Sequence, residues 1–220
     1  MQLLTESSLI PGYKEKWDRL RCRKDSNFKG ISWSDLKALE IVLKNIPEET
    51  NLFLSNGTSV RYGQIIPYRP THATYSNRGV SGIEGCTSTA IGASLVYNRL
   101  TCLITGDMSF GYDLGALNTK LADENMRIIV LDNGGGDIFR FIRSTKNLDI
   151  REKFLCADMK IPVEDIASAY GWEYFYADSV ESLESQIEEF FHVAMLPKLL
   201  HIDTRGRNNA RILTRYLTSK

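Results

Sequence analysis

The chain has 220 residues, 43% of them hydrophobic, and its 27 Lys and Arg are balanced by 27 Asp and Glu. That length and apolar content allow one large domain, or one with an appendage, to bury a proper core, and the even charge gives no sign of a nucleic-acid or polyanion partner. The four cysteines, Cys22, Cys86, Cys102 and Cys156, lack CxxC spacing. No apolar run approaches the ~18 residues of a membrane span, MQLLTESSLIPG lacks the basic and apolar regions expected of a signal peptide, and a reducing cytoplasmic setting is expected.

Residues 1–30 are charged, mixed in sign and free of a sustained apolar stripe. They read as an N-terminal extension, either a terminal helix or the remnant of a preceding domain, with the main domain over 31–220. ISWSDLKALEIVLKNIP predicts an amphipathic helix, capped by Ser32 or Ser34, with Leu36, Leu39, Val42 and Leu43 at helical spacing and Pro47 closing it. Then come the strand NLFLSN, the helix SVRYGQII, the strand ATYSN and the small-residue helix GCTSTAIGASLVYN. The strand LTCLIT, the helix YDLGALNTKLAD and the strand RIIVLDN follow. PVEDIASAYG, EYFYA, SVESLESQIEEFFHVAM and KLLHIDT continue the alternation of helix and strand. Continuous apolar strands alternating with helices predict a doubly wound α/β fold, a parallel sheet with helices on both faces and right-handed crossovers. The connection from Gly134 to Ile161 far exceeds the ~2 to 6 residues usual in such units. An active-site cover and a solvated excursion with one helical turn both fit it.

In an open α/β sheet, ligands bind beyond the carboxyl ends of the strands. Four strands here end in SNGTSVR, NRGVSGIEG, GDMSF and NGGGDIF, each polar, glycine-rich and followed by a helix. Gly106 is expected to turn the chain so that the Asp107 carboxylate stands at a strand tip. Asn133 should reach the next tip, with Gly134 to Gly136 letting bare backbone approach a ligand. A carboxylate, an amide oxygen and a free carbonyl form a half-shell of hard oxygens that magnesium accepts when phosphate oxygens and water complete it, and helix N-termini supply donors for phosphates. Either half alone is as well explained by a helix cap or a tight turn; the two on consecutive strands are more specific. His72, His192 and His201 share no ligand spacing and read as core or surface. Trp17, Trp33 and Trp172 read as packing anchors, and Glu84 reads as a helix cap.

Gly-Asp, about 26 residues, then Asn with glycines resembles the metal and diphosphate signature of thiamine diphosphate enzymes, usually GDG followed by NN; Met108 and Asp132 depart from it. SNRGVSGIEG, GDMSFGYDLGAL and NGGGDIFRF look like the C-terminal cofactor domain of the menaquinone-pathway synthases that make 2-succinyl-5-enolpyruvyl-6-hydroxy-3-cyclohexene-1-carboxylate, the likeness running from about residue 30 to about 205. It implies cofactor contacts at Ser81, Gly82 and Ile83, at Gly106, Asp107, Met108 and Ser109, and at Asn133, Gly135 and Gly136. Ile83 would prop the bent cofactor. Asp107, Asn133 and the Gly135 carbonyl would hold Mg²⁺ or Mn²⁺. Arg61 and Arg78 would meet substrate carboxylates, as suits bidentate guanidinium groups, and Ile138 and Phe139 would wall the reacting carbon. The family's Asn-Ser is Asn56-Gly57 here, so any hydroxyl must come from Ser55, Thr58 or Ser59.

The resemblance also implies 2-oxoglutarate and isochorismate as substrates, a homo-oligomer when complete, and an activating Glu on a separate N-terminal pyrimidine-binding domain. On that reading the chain is the cofactor-binding third of the enzyme, cut as a fragment or encoded apart, and inactive or nearly so by itself. Another thiamine-dependent decarboxylase or carboligase, or a non-catalytic module keeping the fold, remain open as alternatives.

Overall fold

A computed structural model describes residues 28–68, 73–119 and 121–218, together with Gly12 and Glu15. Most of the expected N-terminal extension, with Trp17 and Cys22, and also His72, lie outside the described residues. Six strands form one parallel sheet: β1 (Asn51–Leu54), β2 (Ala73–Tyr75), β3 (Thr101–Gly106), β4 (Met126–Asp132), β5 (Glu173–Ala177) and β6 (Lys198–Asp203), in the order β2-β1-β3-β4-β6-β5. This is the doubly wound α/β sheet the strand pattern predicts. The chain reverses its direction of growth between β1 and β3, which opens the crevice used by ligands in such sheets.

The continuous apolar runs are explained by burial on both faces. On β4, Ile129 and Leu131 join one core while Ile128 and Val130 join the other, and on β3, Cys102 and Ile104 oppose Leu103 in the same way. The first core is covered by helices α1 (Asp35–Asn45), α2 (Thr58–Ile65), α7 (Val180–Glu184), α8 (Ile187–Phe191) and α9 (Asn209–Thr218). The second is covered by α3 (Cys86–Ser94), α4 (Asp107–Tyr112), a 3₁₀ turn (Leu114–Thr119) and α6 (Val163–Tyr170). Ser34 caps α1 by accepting from the Lys37 N–H at 3.3 Å. Trp172 is buried, and Trp33 packs on the first core while its indole N–H donates to the Asp203 carbonyl at 2.8 Å. Among the described residues no helix is long and apolar enough to cross a membrane.

Two helices depart from expectation, each near a side chain that captures backbone. Over YDLGALNTKLAD, residues 112–123, a 3₁₀ turn from Leu114 stands in place of the expected α-helix; α4 lies before it and ends at Tyr112, where Asp113 leaves helical geometry to serve α3. Its carboxylate accepts from the Ser88 N–H at 2.7 Å and from Ser88 Oγ at 2.5 Å. Asp113, not Glu84, therefore satisfies the α3 N-terminus; Glu84 is exposed and precedes the Gly85 cap. Likewise SVESLESQIEEFFHVAM forms α7 and α8 with a break at Gln186, whose Nε2 donates to the carbonyls of Tyr176 and Ser182, both at 2.6 Å. Helix α9 was not anticipated from the sequence. The long connection after β4 forms a four-residue helix, α5 (Ile138–Phe141), and a π-helical turn (Arg151–Cys156) that folds back so that the Gly136 N–H donates to the Cys156 carbonyl at 2.6 Å.

Candidate functional site

The register puts the ends of β1, β3, β4 and β6 along one edge: Leu54 pairs with Ile104, Gly106 with Leu131, and Asp132 with Asp203. The two halves of the sequence motif meet there. Asp107, only 2% exposed at the first position of α4, accepts through Oδ2 from the N–H groups of Gly134 at 3.1 Å and Gly135 at 2.6 Å, and through Oδ1 from Met108 at 2.8 Å. Gly106 itself keeps extended angles, φ −84° and ψ 160°, and a Cβ there would touch nothing within 4 Å. The turn into α4 therefore does not depend on glycine, contrary to the expectation. The demand falls on Gly135, at φ +118°, where a Cβ would stand 2.2 Å from the Cys156 carbonyl oxygen.

Asn133 is 8% exposed. Its Nδ2 donates to Asp35 Oδ2 at 2.8 Å, and its Oδ1 has no hydrogen-bond partner among the described residues. A buried acceptor left open in this way incurs a desolvation cost of ~1–3 kcal/mol unless something else takes it, which is the observation a cation ligand requires. The Gly135 carbonyl accepts from the Asp137 N–H at 2.9 Å, which uses one of its two lone pairs. No cluster of three His, Cys, Asp or Glu side chains suited to a metal occurs among the described residues. The carboxylate, amide and carbonyl oxygens expected as ligands from the sequence are of the kind that magnesium accepts.

Charge accumulates at these tips. Burial pushes Asp107 up to about 7, against the hydrogen bonds from Met108 and Gly135, and Asp132 and Asp35 add repulsion. Asp35, fully buried, is likewise pushed up to about 7 by burial, against hydrogen bonds from Thr204 and Asn133. Burial also works to raise Asp132, but hydrogen bonds from His201 and Arg205, at 3.0 and 2.8 Å, outweigh it and hold that carboxyl below its ordinary value. His201 thus has a partner at the site's edge through Asp132. A cation near Asp107 would favour the ionised forms that burial opposes.

The other expected residues are placed as follows. Ser109 Oγ donates to the Ile83 carbonyl at 2.6 Å, which ties the Ser81–Ile83 segment to α4. Asn56, unremarked as a scaffold in the sequence, clamps the same loop: its Nδ2 donates to the carbonyls of Asn77 at 2.8 Å and Gly82 at 2.6 Å, and its Oδ1 accepts from Arg78 Nη1 at 2.7 Å. Ser81 adopts φ +58° with its hydroxyl on the Arg78 carbonyl at 3.3 Å. Arg61 lies exposed on α2, without a hydrogen-bond or ion-pair partner among the described residues. The hydroxyl-bearing residues Ser55, Thr58 and Ser59 are all buried. Ile138 and Phe139 stand half-buried on α5 next to Gly136. A cleft of about 390 Å³ reaches Asn133, Gly134 and Asp137. A larger one, about 570 Å³, lies between α5 and α9, is lined by Arg140, Arg151, Arg211 and Arg215, and touches neither Asp107 nor the three glycines.

Residues 56–202 match the family described as "Thiamine pyrophosphate enzyme, C-terminal TPP binding domain", and the chain belongs to that family. Within it, the chain is similar to proteins named 2-succinyl-5-enolpyruvyl-6-hydroxy-3-cyclohexene-1-carboxylate synthase. That of Porphyromonas gingivalis is 41% identical over 94% of this chain and 37% of its own length. Those of Christiangramia forsetii and Flavobacterium johnsoniae are 36% and 34% identical, over 88% and 91% of this chain and 34% and 36% of theirs. The chain thus spans about a third of the length of the curated relatives it matches.

Proposed function

We propose that this chain is the diphosphate- and metal-binding domain of a thiamine diphosphate-dependent synthase of menaquinone biosynthesis, one that decarboxylates 2-oxoglutarate and adds the resulting four-carbon unit to isochorismate. The reading is carried by the buried, unpartnered Oδ1 of Asn133 beside the buried Asp107 carboxylate, at the ligand-binding edge of a sheet from this family. Thiamine diphosphate, when bound, supplies the electron sink for the carbon chemistry. The chain's own residues hold and orient it. Asp107, Asn133 and the Gly135 carbonyl are the ligands for Mg²⁺ or Mn²⁺, and Gly106, Met108, Ser109 and Gly136 frame the diphosphate. Ser81, Gly82 and Ile83, held by Asn56 and Ser109, form the support for the rest of the cofactor. Arg61 and Arg78 serve the substrate carboxylates, and Ile138 and Phe139 form the apolar wall beside the reacting carbon. The activating carboxylate and the pyrimidine site belong to sequence that the longer relatives carry beyond this match, in a homo-oligomer. Three buried free cysteines, Cys86, Cys102 and Cys156, suit a reducing cytoplasm.

Calorimetric titration with thiamine diphosphate and Mg²⁺ tests the cofactor site: wild type is expected to bind saturably and Asp107→Ala to lose binding at least tenfold, and equal affinities would refute the site. With the relatives' remaining domains supplied, 2-oxoglutarate consumption that leaves isochorismate untouched would refute the substrate assignment.

A further inference from the structure

An amide side chain turns its oxygen or its nitrogen toward a ligand according to what holds its other end. At Asn133 the holder is Asp35. In its ionised form, which a nearby cation favours, the carboxylate accepts only from the NH₂ end, through Oδ2 at 2.8 Å, and Asn133 Oδ1 is left turned away, buried and unpartnered. Asp35 is itself fixed on two sides. Thr204 Oγ1 donates to its Oδ1 at 2.5 Å, Asn209 Oδ1 accepts from its backbone N–H at 2.9 Å, and Asn209 Nδ2 reaches both the carbonyl and the hydroxyl of Thr204 at 3.2 Å. Asp35 and Thr204 have no exposed surface and Asn209 is 4% exposed. Helix α1 does not need this carboxylate as its cap, since Ser34 already accepts from Lys37. A charge-bearing group buried completely, with each hydrogen bond assigned, calls for another use.

We propose that Asp35, held by Thr204 and Asn209, is a positioning residue for the metal site, fixing the Asn133 amide with its oxygen free for a divalent cation. This rests on the reading of Asn133 as a ligand and extends it to residues 35, 204 and 209, all outside the stretch 56–202 that matches the family.

The test counts Mn²⁺ bound in the presence of thiamine diphosphate by electron paramagnetic resonance of the full chain, with thermal unfolding recorded alongside. Asp35→Leu is expected to weaken Mn²⁺ binding about 10- to 100-fold, as loss of a group that orients a metal ligand does, while unfolding stays cooperative. Asn133→Asp sets two carboxylates against each other and weakens binding as well. The double exchange, Asp35→Asn with Asn133→Asp, reverses donor and acceptor: the new amide at 35 donates to the new carboxylate at 133 and accepts from Thr204, leaving one oxygen at 133 free. It is expected to bind at least about tenfold tighter than Asn133→Asp alone. The inference is overturned if folded Asp35→Leu binds Mn²⁺ like wild type, or if the double exchange binds no tighter than Asn133→Asp. Should Asp35→Leu not fold, Thr204→Val decides, because it removes only the hydroxyl that holds Oδ1; unchanged Mn²⁺ affinity overturns the inference and weakened affinity supports it. Asn133→Ala separates the two claims: if it binds Mn²⁺ as wild type does, the ligand reading itself falls, whatever the Asp35 variants do.

Discussion

Replacing Gly135 by Ala is the sharpest perturbation of the site's backbone. At φ +118° an L residue is strained, which costs ~1–3 kcal/mol. The added Cβ would lie 2.2 Å from the Cys156 carbonyl oxygen, and backbone cannot rotate out of the way as a side chain can. The π-helical turn must then lift off, leaving the buried Gly136 N–H without its 2.6 Å acceptor, a further ~1–3 kcal/mol. The expected destabilisation is therefore about 4 kcal/mol. Gly171→Ala is the matched control: its φ is also positive, +74°, but a Cβ there meets nothing within 4 Å, so about 1–2 kcal/mol is expected. Urea unfolding of both variants, with their m-values compared to wild type, measures the difference. A loss at Gly135 no larger than that at Gly171 would show that the turn does not press on the glycine run, and the packing argument fails.

Two more outcomes follow from the same edge. Asp35 and Asp107 have folded-state values raised from 3.8 to about 7, so their contribution to stability is complete below pH 4 and is lost as pH rises through 7. The metal-free chain should melt at lower temperature at pH 8 than at pH 5, with the difference reduced in Asp107→Asn; a flat profile in both counts against the burial argument. Asn56→Ala strips the Asn77 and Gly82 carbonyls of a donor; it should cost about 2 kcal/mol and speed amide exchange over residues 77–85, and unchanged exchange there would mean the loop is held by something else.

The sheet was legible in the sequence because burial on both faces leaves each strand a near-continuous apolar run, as RIIVLD shows. The Asp107–glycine contact was legible because strand tips in such a sheet share one edge. What escaped was decided by single side chains acting across long distances. Asp113 ends α4 and Gln186 breaks a helix expected in one piece, and nothing local distinguishes them from surface residues. Asp35 reads as an ordinary first-turn acid, since its partners stand 98, 169 and 174 residues away. Asn56 was noted only for the glycine after it.

Those separations also bear on how the site comes into being. A cation-binding loop built from neighbouring residues can close early and help its surroundings to fold. Here Asn133 is oriented by a helix that precedes it by nearly a hundred residues and by a segment that follows it by about seventy, so the entropy of closing nearly the whole chain must be overcome first. On the proposed reading, the full-affinity site would not be complete during synthesis until residue 209 has left the ribosome. Binding would then add to the stability of the finished domain as a whole, rather than guiding its assembly.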